Sequence, residues 1–109
     1  MLRISNTLSG VKEDFEPYDP KQVRVYVCGI TPYAESHIGH GMSYVVFDVI
    51  RRYLEYRGYG VKVVQNFTDV DDKIIDRADT LGISAKELAG RYIDRFFEDM
   101  DLLHVRRAD

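Results

Sequence analysis

The sequence predicts an α/β fold organised on a parallel sheet. Two short β-branched segments, Val23-Arg24-Val25-Tyr26-Val27-Cys28 and Val61-Lys62-Val63-Val64-Gln65-Asn66, are separated by one long stretch of helical periodicity. A strand–helix–strand unit of this kind makes its two strands parallel, with a crossover that is almost always right-handed. Downstream, capping residues and glycines mark out a pair of further helices.

The N-terminus reads differently. Leu2-Arg3-Ile4 and Val11-Lys12-Glu13-Asp14-Phe15 flank Asn6-Thr7-Leu8-Ser9-Gly10, the pattern of a β-hairpin. Glu16-Pro17-Tyr18-Asp19-Pro20 then breaks regular structure, because two prolines so close together fix an extended linker. Residues 1–20 are expected to be hairpin and linker, and residues 21–109 the main unit.

Val23 to Cys28 is nearly all apolar apart from Arg24 and is bounded by Gly29, which predicts a strand buried in a parallel sheet. Residues 29–36 form a loop. From about residue 38 to residue 57 the pattern is helical, with Val45, Val46, Val49, Ile50, Tyr53 and Leu54 on one face. The β-branched residues lower intrinsic helix propensity, so packing must hold this helix. Gly58 is placed to end it, and the second strand follows at once. Asp69, Asp71 and Asp72 stand at the start of a helix over residues 71–80 that Gly82 stops. Ser84-Ala85-Lys86-Glu87 is a capping box that opens a last helix to about Leu102, with Leu88, Tyr92, Phe96 and Met100 on its apolar side. The tail from His104 to Asp109 shows no pattern and simply stops.

The 109 residues allow one small domain. Net charge is −3, without the basic excess of a domain that grips nucleic acid through phosphates. The nearest basic feature, Arg51-Arg52, reads as a helix-surface pair. No apolar run is long enough to span a membrane and no basic-then-apolar signal opens the chain, so a cytoplasmic location is expected. Cys28 is the only cysteine, which excludes an internal disulfide and an all-cysteine zinc site. It is a buried small residue, a reactive thiol, or one ligand of a site completed by distant residues.

The chemistry concentrates where the strands end. In an open parallel sheet ligands bind beyond the carboxyl ends of the strands. Cys28-Gly29-Ile30-Thr31 and Asn66-Phe67-Thr68-Asp69 therefore share one edge with the helix mouth at His37-Ile38-Gly39-His40. A helix N-terminus has unpartnered N–H groups and a positive dipole end, which suits an anion and above all a nucleotide phosphate. His37 and His40 are candidates to donate to phosphate oxygens, and Gly39 lets a base or ribose approach the backbone. The alternative is that His37 caps the helix and His40 fills surface or core. Thr31 and Thr68 are candidates for a small polar substrate or for turn formation. Asp69, Asp71 and Asp72 suit helix capping and match no complete Ca²⁺ loop. Neither a P-loop nor Gly-x-Gly-x-x-Gly occurs, which disfavours kinase-type transfer and dinucleotide redox chemistry.

Met1-Leu2-Arg3-Ile4-Ser5-Asn6-Thr7-Leu8, Tyr26-Val27-Cys28-Gly29, the HIGH motif His37-Ile38-Gly39-His40, Tyr44-Val45-Val46-Phe47-Asp48-Val49-Ile50-Arg51-Arg52-Tyr53-Leu54, and Asn66-Phe67-Thr68-Asp69-Val70-Asp71-Asp72-Lys73-Ile74-Ile75 stand in one chain. Taken together, these segments resemble the cysteinyl-tRNA synthetases, a class I aminoacyl-tRNA synthetase family. The resemblance implies the first half of a Rossmann-like nucleotide-binding sheet. It implies ATP with Mg²⁺ and L-cysteine as substrates, cysteinyl-adenylate as the intermediate, and tRNA(Cys) as acceptor. It places His37, Ile38, Gly39 and His40 in the ATP site, with His37 and His40 catalytic, and Gly29, Thr31, Asn66 and Thr68 in the amino-acid pocket. It makes Cys28 one of four zinc ligands, the others lying far downstream.

Cys28-Gly29-Ile30-Thr31-Pro32-Tyr33 also resembles the mycothiol-type cysteine ligases, and Gly41-Met42-Ser43 departs from the synthetases' common Ala-Arg-Thr. A short HxGH nucleotidyltransferase and a non-catalytic nucleotide-binding fragment are further alternatives. The synthetases are several times longer. The sequence is therefore expected to represent an incomplete catalytic domain with an uncovered sheet edge, prone to self-association and without a zinc site of its own.

Overall fold

In the computed structural model, which describes residues 1–109, the chain opens with an antiparallel hairpin. Strand β1 (Arg3–Asn6) pairs with strand β2 (Val11–Asp14), Arg3 opposite Asp14 and Asn6 opposite Val11. Gly10 takes φ 73° and its N–H meets the Asn6 carbonyl at 2.8 Å, which closes the turn. Every residue of both strands is exposed, so the hairpin adds nothing to the core.

Strand β3 (Gln22–Val27) leads through a loop into helix α1 (Ile38–Tyr56), and strand β4 (Gly60–Gln65) follows. As the strand–helix–strand pattern requires, β3 and β4 are parallel, with Val23 opposite Val61 and Val27 opposite Gln65. Helices α2 (Asp72–Leu81) and α3 (Ala85–Leu102) complete the chain. Their ends are closed by the residues the sequence offers. The Asp71 carboxylate accepts the Lys73 N–H at 2.9 Å, Gly82 turns left-handed at φ 69°, and the Ser84 hydroxyl accepts the Glu87 N–H at 3.1 Å.

Apolar burial forms two clusters. Val27, Ile30, Tyr44, Phe96 and Met100 pack between the sheet, α1 and α3. Ile74, Ala78, Leu88 and Ala89 join α2 to α3. The sheet is covered on one face only: Val23 and Val27 are buried, whereas the paired residues Tyr26 and Val64 are 62% and 46% exposed. The expectation of a buried strand thus holds for one face, because no element of these 109 residues lies over the other. The radius of gyration, 16.7 Å, exceeds the roughly 13 Å of a compact domain this long.

Two further expectations are corrected. Of the α1 stripe Val45, Val46, Val49, Ile50, Tyr53 and Leu54, only Leu54 is buried. The arc that packs inward carries Gly41, Tyr44 and Leu54, with Asp48 and Arg51 half-buried beside them. Periodicity locates an apolar arc but does not say which arc meets the rest of the chain.

The tail is the second correction, and with it Arg51, whose side chain is only 11% exposed. Arg51 donates to the Arg107 carbonyl at 2.9 Å and to the Asp109 carboxylate at 3.0 Å. Asp48 accepts the Arg106 N–H at 3.1 Å, and the hydrogen bond from Arg106 holds the Glu55 carboxyl below its ordinary range. Asp109 then closes on β4: its N–H reaches the Val63 carbonyl at 2.9 Å, and its carboxylate accepts the Val63 N–H at 2.8 Å. The tail therefore lies along α1 and satisfies part of β4's free edge.

Candidate active site

Helix α1 begins on a reciprocal histidine cap. His37 is extended at the N-cap position, and its Nδ1 accepts the N–H groups of Gly39 at 3.1 Å and His40 at 3.4 Å. The Nδ1 of His40 in turn accepts the His37 N–H at 3.2 Å. The rings stack with centroids 3.8 Å apart and 12° between planes. An imidazole whose Nδ1 accepts a hydrogen bond is neutral and carries its proton on Nε2. Both rings thus keep an Nε2–H free to donate, at the positive end of a helix whose first turn holds no acidic residue. Burial, and then the electrostatic interaction with the neighbouring His37 ring, hold the His40 pKa below its ordinary value, in keeping with the neutral form.

The capping role weighed for His37 is therefore present, and it does not consume the donor. Gly39 answers to the same geometry. A Cβ there would stand 3.0 Å from the His37 ring, so the space beside the Gly39 backbone is taken by imidazole. Ile38 is 91% exposed.

The two strand ends meet as topology requires. The Thr68 N–H donates to the Ile30 carbonyl at 3.0 Å, joining the loop after β4 to the loop after β3. Asn66 Oδ1 accepts the Gly29 N–H at 2.7 Å. Gly29 lies so close to Asn66 that a Cβ would land on the Asn66 carbonyl oxygen. Thr31 and Thr68 are half-buried, and neither hydroxyl is bonded within the chain. Cys28, one residue past β3, is exposed, which removes the reading of it as a buried small residue.

Sequence reasoning missed Tyr44. Its ring is buried, it packs edge-on against Phe96 at 5.1 Å, and its hydroxyl donates to the Cys28 carbonyl at 2.8 Å. Burial, and then the charge of the Cys28 side chain, push the Tyr44 pKa up, so the hydroxyl stays a donor. No sequence signal marked it, because the arc that carries Tyr44 faces inward only once the helix docks; a buried phenol then needs a partner, and the Cys28 carbonyl supplies it. Ser36, just before the cap, was missed as well; its buried hydroxyl has no partner. The loop between strand and helix is held by buried Pro32, by Lys73 over the Tyr33 ring at 5.5 Å, and by a Glu35–Arg95 ion pair at 3.8 Å.

A zinc ion bound by this chain alone does not fit. Cys28 is one soft donor, and no three His, Cys, Asp or Glu side chains converge anywhere to hold a metal. No helix is long and apolar enough to cross a membrane.

Comparison with known proteins places the chain in a family. Residues 14–109 match the family of tRNA synthetases class I (C) catalytic domain. The chain is 56% identical over 108 residues to a cysteine–tRNA ligase of Dehalococcoides mccartyi, covering 99% of this chain and 24% of that protein. It is 54% identical over 109 residues to a cysteine–tRNA ligase of Pyrococcus furiosus, covering 100% and 23%. The chain thus spans less than a quarter of the length of these relatives. Among solved structures it is similar to Mycobacterium tuberculosis methionyl-tRNA synthetase in complex with methionyl-adenylate. That likeness has a TM-score of 0.72 and 27% identity, over 78% of this chain and 17% of that one. Agrobacterium radiobacter LeuRS, in a ternary complex with tRNA and LeuAMS, shares the fold at TM-score 0.70 and 22% identity, over 84% and 12%. These matches favour the synthetase reading over the mycothiol-type ligase and the short nucleotidyltransferase. The chain belongs to the class I (C) tRNA synthetase catalytic-domain family.

Proposed function

We propose that this chain carries the nucleotide-holding half of a cysteine–tRNA ligase active site. In this reading ATP and L-cysteine give cysteinyl-adenylate and pyrophosphate, and the cysteinyl group then passes to tRNA(Cys). The observation that carries the proposal is the reciprocal histidine cap. It leaves two neutral Nε2–H donors side by side at a positive helix end, one helical turn before Tyr44, whose hydroxyl meets the carbonyl of the thiol-bearing Cys28 at 2.8 Å.

The chemistry follows from where charge develops. When the cysteine carboxylate attacks the α-phosphate, negative charge builds on the phosphoryl oxygens as pyrophosphate leaves. Donors fixed in advance by their own backbone bonds stabilise that charge without reorganising. His37 and His40 act here as neutral donors and transfer no proton, because a proton added at Nδ1 would oppose the N–H groups it now accepts. Thr31 and Thr68, with hydroxyls free, are assigned to the amino acid. Cys28 is assigned as this chain's one contribution to a zinc site whose other donors lie outside these residues; no step here runs through it. Residues 21–109 are assigned to the catalytic domain, and a cytoplasmic location accompanies the role in translation.

ATP titrated into the ¹⁵N-labelled chain tests the reading. The amides of Gly39 and His40 and both imidazoles are expected to shift, and His37→Ala with His40→Ala to abolish the response. Shifts confined to other surfaces would count against it. Cysteine-dependent ATP–pyrophosphate exchange, measured with the chain as part of a full-length ligase, tests the amino acid; exchange driven by a different amino acid would remove the cysteine assignment.

A further inference from the structure

We infer that Tyr44 and Asn66 form a clamp on the Cys28–Gly29 peptide and act as positioning residues for the Cys28 thiol. The Cys28 carbonyl and the Gly29 N–H are the two ends of one planar peptide group. Tyr44 donates to its oxygen at 2.8 Å, and Asn66 Oδ1 accepts from its nitrogen at 2.7 Å. The two partners stand 16 and 37 residues away in sequence, on α1 and just after β4. Held from both sides, the plane cannot rotate about the bonds that flank it, and the Cα–Cβ bond of Cys28 keeps one direction.

Such a clamp answers a need that the chain itself creates. Gly29 is required, because any Cβ would collide with the Asn66 carbonyl. Glycine is also the residue with the greatest backbone freedom, and it directly follows the thiol-bearing residue. The two side-chain bonds remove that freedom where β3 has ended and no ladder hydrogen bond remains to do so. The Tyr44 hydroxyl is itself fixed, since its ring is 6% exposed and lies edge-on against Phe96. Tyr44 also lies one helical turn beyond His40, on the helix whose mouth carries the two imidazole donors. The clamp therefore ties the direction of the thiol to the helix that holds the phosphate donors. The functional meaning of that tie rests on the proposed reading of the site, whereas the clamp itself is tested without ATP or cysteine.

The test is NMR on the ¹³C,¹⁵N-labelled 109-residue chain. In the wild type a scalar coupling is expected across the hydrogen bond between the Gly29 nitrogen and the Asn66 side-chain carbonyl carbon. Tyr44→Phe keeps the ring and removes only the hydroxyl. It is expected to move the Cys28 carbonyl resonance upfield and to speed Gly29 amide exchange roughly tenfold, the loss of about one net hydrogen bond. Residual dipolar couplings at the Cys28 Cα are expected to shrink, while amides around Leu54 and Phe96 stay unchanged. Asn66→Leu is expected to give the same pattern, and Asn66→Asp, which keeps an acceptor oxygen, to restore it. A merely structural role would not confine the change to Cys28 and Gly29 or allow that rescue. The clamp is overturned if the wild-type coupling is absent, or if folded Tyr44→Phe leaves the Cys28 and Gly29 signals as they were. Should either loss variant fail to fold, the wild-type coupling and Asn66→Asp still decide. Failed nucleotide binding would leave this result standing, and a failed clamp would leave nucleotide binding untouched.

Discussion

The imidazoles of His37 and His40 stack 3.8 Å apart while each accepts a backbone N–H from the residue bearing the other. One pair of side chains therefore both starts α1 and presents its donors. The two roles use different nitrogens, so substitutions can separate them. His37→Asn keeps an acceptor near the Nδ1 position and is expected to retain stability while weakening ATP binding. His37→Ala loses the cap as well and is expected to cost about 1 kcal/mol in urea unfolding. Equal stability of the Ala and Asn variants would show that the cap contributes nothing.

The same cap predicts a pH dependence. The His40 pKa lies below its ordinary 6.5, chiefly through burial and then through the electrostatic interaction with His37. Between the folded and unfolded pKa values the unfolded chain binds more protons, so stability rises with pH in that window. The contribution is complete above 6.5 and is lost as pH falls through the lower, folded value. Urea midpoints across this range are expected to fall toward acid, and His40→Asn to flatten that part of the curve. An unchanged slope in His40→Asn would locate the dependence elsewhere.

Gly29→Ala is expected to destabilise by roughly 3 kcal/mol, at the upper end of ordinary overpacking, because the obstacle is the Asn66 backbone and not a movable side chain. Gly90→Ala is the control, since a Cβ there meets nothing within 4 Å and the helical site favours alanine by about 1 kcal/mol. Thermal melts of the two variants should move in opposite directions.

His104 offers a stabilising change. It is the only non-glycine residue with positive φ, 57°, at the close of α3, where the Val105 N–H reaches back to the Met100 carbonyl at 3.0 Å. Glycine is the usual residue in that position. His104→Gly is expected to raise stability by about 0.5–1 kcal/mol, left-handed strain being relieved against a more flexible unfolded chain. A lower melting temperature would mean that the His104 side chain matters more than its backbone.

The exposed stripe on α1 predicts association. Val45, Val46, Val49, Ile50 and Tyr53 are each 38–57% exposed along one side of the helix. The isolated chain is expected to sediment as a concentration-dependent mixture, and Val49→Asp to shift it toward monomer. A wild-type chain that stays monomeric at every concentration would contradict this.

Local chemistry was legible wherever neighbours in sequence are also partners in space. The Gly10 turn, the Gly58 and Gly82 helix stops, and the Asp71 and Ser84 caps can be read from a few adjacent residues. The parallel pairing of β3 and β4 follows from connectivity, and with it the meeting of the Ile30 and Thr68 loops. The His-x-Gly-His spacing at the helix mouth marked the candidate site before any fold was known.

By itself, then, the sequence determined the elements, their order, the sheet direction and the meeting of the loops that follow the two strands, because short-range sterics and chain connectivity specify these. Tertiary structure decided the rest. It turned Tyr44 inward and left Val49 outside, laid the tail on Arg51, and set Tyr44 and Asn66 on opposite ends of the Cys28–Gly29 peptide. Those outcomes depend on which surfaces dock and on partners 16 to 58 residues apart, and a periodic pattern names an apolar arc without naming what will cover it.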